Sequence, residues 1–238
     1  MVKKVAGMVL VPAFKTVLLL AILPGLFGCN LSVRQAKQNL TEFVIPTDVS
    51  IIRHHVQLIH QDLKDFTLRL YARNPKYEQD PAARQRKVNY IFHHGPSVFR
   101  PVAGKLSHEI LTMAFAADIE ESDRVFLLGL GLWQSVKEAY EVKDEGFFIS
   151  GLQLDLARLQ RLHHNISQVS WRLKTYEDGK GNLLFLTNGV GKNGYLNMGY
   201  EVIITKILTR IEDDIFMRGG LPEKYVFKMS TLFAGIMI

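Results

Sequence analysis

The chain has a single cysteine, Cys29, so it can form no disulfide within itself, and its core must hold without a covalent cross-link. No acidic residue precedes that cysteine. The sequence also lacks an unbroken apolar run of the roughly 20 residues that a spanning helix needs. Its densest early stretch is Val17 to Leu23; Lys15 interrupts the longer version and Pro24-Gly25 ends it. No internal repeat and no low-complexity tract is found, which excludes solenoid and fibrous architectures.

What the first 28 residues do contain falls into three zones. Lys3 and Lys4 give a short positive start, the apolar stretch follows, and the segment closes on Leu26-Phe27-Gly28-Cys29. Charge, a short apolar centre and a small residue before a cut form the pattern of a removable secretory signal. This end resembles the lipobox of bacterial lipoproteins, which runs Leu, a small residue, Gly or Ala, then Cys. Leu26, Gly28 and Cys29 match it, while Phe27 stands where the family carries something smaller. The resemblance implies cleavage between Gly28 and Cys29, diacylglycerol on the Cys29 thiol and acylation, typically with palmitate, of the new amino terminus. Each buried methylene adds about 0.8 kcal/mol, so two or three chains anchor stably where one does not. Asn30 is not the aspartate that retains such proteins at the inner membrane, so the resemblance points to the outer membrane, facing the periplasm.

Removal of residues 1–28 leaves 210 residues, and loss of Lys3, Lys4 and Lys15 takes the formal charge from +6 to +3. That is too mild to suggest nucleic acid as a partner; slight attraction to anionic headgroups is the more natural consequence. Residues 29–47 read as a lipidated tether and residues 48–238 as one helical domain.

Within that domain Ile52, Val56, Ile59, Leu63, Phe66 and Leu70 alternate spacings of four and three, the stripe of a packed helix beginning at Thr47 or Asp48. Asn74-Pro75 stops it. Asp80-Pro81 is an N-cap with proline at the first helical position, opening a second helix to about His93. Val102, Leu106, Ile110, Met113 and Ala117 mark a third helix; Val125, Leu128, Leu132, Val136 and Ala139 a fourth, from near Ser122-Asp123. A fifth carries Leu152, Leu156, Leu159, Ile166, Val169 and Leu173, and a sixth Tyr200, Ile204, Ile207, Ile211 and Ile215, closed by Gly219-Gly220. A last segment runs from Glu223 to Ile238. The fold class is mainly α, a bundle of about six to seven helices. A small β-hairpin near 170–187, built on Leu183–Thr187, is the one β element the pattern allows.

The chemistry-bearing motifs each break at a named residue. Gly189-Val-Gly-Lys-Asn-Gly194 fits G-x-G-x-x-G, but no second parallel strand follows to complete a dinucleotide-binding unit, so the glycines read as loop residues and no cofactor is expected. Six of the eight histidines come in pairs, His54-His55, His93-His94 and His163-His164. Helical neighbours point about 100° apart and do not chelate from one face, so no metal is assigned and one ring of each pair is expected in the core. His108-Glu109 opens like H-E-x-x-H, but Thr112 stands at the closing position. Ser107-His108-Glu109 has triad residue types in consecutive positions, which diverge on a helix. Glu120-Glu121-Asp123 reads as a solvated junction; Glu212-Asp213-Asp214 lies near a helix C-terminus, where acids are unfavourable, and is a candidate contact surface.

These failures point away from an enzyme and towards a binding, scaffold or accessory subunit of a membrane-associated complex, held to the membrane through Cys29 and meeting envelope proteins. Such a protein is expected to expose an aromatic, arginine and methionine patch around Arg69-Tyr71-Arg73 or on the C-terminal helix. The alternative is a lipid or small-molecule carrier with a pocket between helices, lined by Phe126, Leu130 and Trp133 of the glycine-containing run Leu127-Leu-Gly-Leu-Gly-Leu-Trp133. That run also suits a central helix lying tight against its neighbours.

Overall fold

In the computed structural model of the chain, residues 47–94, 100–116, 123–142, 154–190 and 192–220 are described. The signal segment, Cys29, the tether before Thr47, Ala117, Leu152 and the segment from Glu223 to Ile238 lie outside these residues. The described part is a mainly helical bundle of six α-helices, with no β-strand among the described residues.

Helix α1 (Thr47–Arg73) is 27 residues long, about 40 Å at 1.5 Å per residue. All six residues of its apolar stripe, from Ile52 to Leu70, are no more than 2% exposed. It stops where Pro75 requires. Helix α2 (Pro81–His93) opens as its cap dictates: the Asp80 carboxylate accepts from the Ala82 and Ala83 amides at 3.0 and 3.1 Å.

The third helix is shorter than its periodicity suggests. Val102 belongs to a 3₁₀ turn (Arg100–Val102), and α3 (Ser107–Phe115) starts only after Gly104, whose φ of +77° breaks the path. Leu106 consequently lies outside the helix and is 38% exposed. Its role as apolar stripe residue is thus lost to a backbone turn that only glycine adopts readily.

Helix α4 (Arg124–Tyr140) is buried on nearly every side and meets α1, α2, α3 and α5. Its glycines make this possible. A Cβ on Gly129 would stand 2.9 Å from Thr67 Cγ2 of α1, and one on Gly131 would stand 2.9 Å from Leu111 of α3. The lost helical propensity, roughly 1 kcal/mol per glycine, is offset by close approach of two neighbours. Helix α5 (Leu156–Thr175), capped by Asp155, and α6 (Gly199–Met217) complete the bundle, with α6 lying on α1 and α5.

The expected hairpin reduces to one antiparallel bridge, Glu177 with Leu183, because residues 170–175 remain in α5. Beyond Leu183 the segment to Thr187 forms no further bridge. The Leu184 amide donates to the Tyr176 carbonyl, while side chains meet other groups: Tyr77 Oη donates to the Leu184 carbonyl, and Asn74 holds both backbone groups of Leu186.

Candidate functional site

The C-terminal end of α1, the segment 186–199 and the start of α6 together form an open groove of about 700 Å³. Asn74, 1% exposed, ties the end of α1 to Leu186, which precedes the groove's first lining residue of this segment, Thr187. Its Nδ2 donates to the Leu70 and Leu186 carbonyls at 2.8 and 2.9 Å, and its Oδ1 accepts from the Leu186 amide at 2.7 Å. Tyr200 Oη donates to the Arg69 carbonyl at 2.9 Å, tying α6 to the last turns of α1. Between these ties the chain makes a narrow strap: Val190 bridges Leu196, the Asn197 amide donates to the Gly189 carbonyl, and Gly194 turns the tip at φ +80°. Gly189 and Gly194 of the G-x-G-x-x-G match therefore lie in a loop.

Two guanidiniums enter this groove. Arg69 is held by Asp65 through Nε and NH2, at 2.9 and 2.8 Å, and is about half exposed. Arg73 NH2 donates to the Asn188 carbonyl at 3.3 Å and lies against Gly189, where a Cβ would come within 1.9 Å of it. Among the described residues Arg73 has no carboxylate partner. Burial pushes the Tyr200 phenol up, partly countered by both nearby guanidiniums. The opposite lip is apolar. Of the nine large hydrophobic residues exposed among those described, six fall within residues 186–202: Leu186, Val190, Tyr195, Leu196, Met198 and Val202. Of these, Val190, Tyr195 and Leu196 line the groove. Tyr71, expected in this patch, instead turns inward and donates to Asp123 at 2.8 Å.

The residues expected to line an apolar pocket lie in the core. Phe126, Leu130 and Trp133 are 7%, 3% and 5% exposed, and Trp133 packs against His60 and Phe92 with ring centroids 4.6 and 5.9 Å apart. None of them lines the groove or the second described cavity, beside Asn74 and Gly181–Leu183. Cys29 and Gly28 lie outside the described residues.

The histidines do not follow a single rule. His55 faces inward and His54 outward, His93 and His94 are both exposed, and His163 and His164 are both half-buried. Among the described residues no three His, Cys, Asp or Glu side chains come together as a metal site. The acids near the end of α6 divide. Glu212 pairs with His163 at 2.9 Å, Asp213 is exposed, and Asp214 is fully buried. There it accepts from His55 Nδ1 at 2.7 Å and Tyr140 Oη at 2.5 Å, joining α1, α4 and α6. Burial raises the Asp214 carboxyl, against the opposing pull of His55 and Tyr140. Glu138 of α4 supplies another internal tie, accepting from Ser107 Oγ at 2.5 Å and from the Ser107 amide, so the start of α3 is capped from a different helix. Asp123, read as part of a solvated junction, instead caps α4 and receives Tyr71 and Lys87.

No protein-family profile, curated protein or solved structure matches this chain. Among the described residues no helix is long and apolar enough to cross a membrane.

Proposed function

We propose that the chain is an envelope lipoprotein, anchored through acylated Cys29 and acting as a binding or scaffold subunit of a membrane-associated complex. The exposed Val190, Tyr195 and Leu196 beside Arg69 and Arg73 carry this reading, because they put the aromatic, apolar and arginine composition of interface centres in one groove. Burial of Phe126, Leu130 and Trp133 favours it over a carrier with a pocket between helices. The lipobox resemblance supplies the address: the outer membrane, on its periplasmic face. Helix α1 then spaces the groove about 40 Å from residue 47, where the tether ends.

A photo-reactive amino acid at Tyr195, in the full chain in its own membranes, tests the reading. The expected product is one dominant cross-linked protein, absent when the probe is at exposed Gln85 on α2 instead. Equal, diffuse cross-linking from both positions would remove the surface from the account.

A further inference from the structure

We infer that the groove between Arg73 and the 189–197 strap is a recognition site for an acidic, apolar-flanked peptide segment of a partner protein. The inference rests on the binding role just proposed and names what that surface takes.

The donors come first. Arg73 uses NH2 for the Asn188 carbonyl, and among the described residues its Nε and NH1 have no partner. Arg69 spends Nε and NH2 on Asp65, leaving NH1 directed towards Gly199 and the Asn197 side chain. Two cationic groups with unused N–H donors thus stand in one groove, both close enough to Tyr200 to influence its phenol. The nearest acids are already engaged: Asp65 with Arg69, and Glu201 with Lys174 and Asn188. What remains is the Arg73 guanidinium, without a carboxylate partner among the described residues, whose free N–H groups offer a carboxylate charge-assisted hydrogen bonds.

The rest of the lining selects more than a bare anion. Val190 and Leu196 face the same groove at 69% and 55% exposure, and Tyr195 at 76%. Apolar side chains left this open gain by covering, so the ligand needs apolar groups beside its acid. Asn193 and Asn197 use Oδ1 for the Tyr195 and Gly199 amides, which leaves their Nδ2 groups as donors to a peptide carbonyl. The strap is held by the Val190–Leu196 bridge, with the Asn197 amide on the Gly189 carbonyl and the Tyr195 amide on Asn193 Oδ1. The groove is concave and about 700 Å³, room for a few residues rather than a flat bilayer surface.

The test uses the full chain in mild detergent and a displayed library of random decapeptides as the probe. The expected selection is enriched in Asp or Glu next to an aliphatic or aromatic residue. Its best member, made synthetically and followed by fluorescence anisotropy, should bind Arg73→Glu about tenfold to a hundredfold more weakly, and Arg73→Lys by an intermediate factor. Leu196→Asp, exposed and remote from the core, provides a second variant with the same expected loss should Arg73→Glu fail to fold. A selection without acidic enrichment, or affinity unchanged in both variants, overturns the inference. So does Arg73-dependent binding to vesicles of three parts phosphatidylglycerol to seven of phosphatidylethanolamine with no peptide selected. An unmodified Cys29 would sink the anchoring reading while leaving the peptide result intact. A stoichiometric partner whose binding ignores Arg73 and Leu196 would do the reverse.

Discussion

Replacing Asn74 by alanine removes three hydrogen bonds from a side chain that is 1% exposed. The Leu70 carbonyl keeps the Asn74 amide as a donor at 2.9 Å, so its loss is small. The Leu186 amide and carbonyl lose their named partner together. Leu186 itself is about half exposed, so water recovers part of the deficit. At about 1 kcal/mol for each of those two bonds, the cost is roughly 2 kcal/mol. For a chain of this size that lowers the melting temperature by about 4–8 °C. Circular dichroism measures the melting point, and hydrogen exchange of a peptide spanning 183–190 locates the change. Asn74→Asp should cost at least as much as Asn74→Ala, because it keeps the acceptor for the Leu186 amide but sets a buried carboxylate oxygen against the Leu70 and Leu186 carbonyls. If Asn74→Ala melts within 1 °C of wild type with Leu186 exchange unchanged, the side chain does not fasten Leu186 to α1.

Gly131→Ala should destabilise by about 1–3 kcal/mol, because its Cβ meets Leu111 at 2.9 Å in a packed core with the Leu111 backbone amide only 3.2 Å away; urea titration reads this directly. Tyr140→Phe should cost a similar amount, since the buried Asp214 carboxylate loses one of its two donors; an unchanged urea midpoint contradicts it. Burial, reinforced by Lys64, pushes the His60 imidazole from 6.5 down to about 4. Between those values the unfolded chain binds the proton that the folded chain refuses, so stability falls as pH drops from 6.5 towards 4 and is level above. His60→Gln should flatten that slope in denaturant titrations at pH 7, 6 and 5; a slope equal to wild type assigns the loss to other groups.

Helices α1, α2, α4 and α6 were legible because each has an apolar stripe and a stop or cap of local origin, such as Pro75, Asp80 or Asp123. Where reading failed, non-local geometry decided. Val102 and Leu106 keep helical spacing on paper, yet Gly104 turns the chain between them. Leu183–Thr187 has strand composition, but Asn74 and Tyr77 take its backbone groups from over 100 residues away. The burial of Asp214 was equally invisible, since it depends on His55 and Tyr140 arriving from two other helices. Arg69 and Arg73 could be named from sequence as part of a contact patch. That Tyr71 between them points inward follows from its place on the buried face of α1, one residue after Leu70. The strap residues Val190, Tyr195 and Leu196 gave only a glycine-rich loop, because exposure is a property of the packed fold.

The most direct measurement is the intact mass of the full-length protein extracted from its own membranes in mild detergent, read together with whatever co-purifies. The account expects a chain beginning at a diacylated or triacylated Cys29 and accompanied by a stoichiometric protein partner. A chain still carrying unmodified residues 1–28 would contradict the anchor, and an acylated monomer holding only a bound lipid or small molecule would contradict the binding-subunit role.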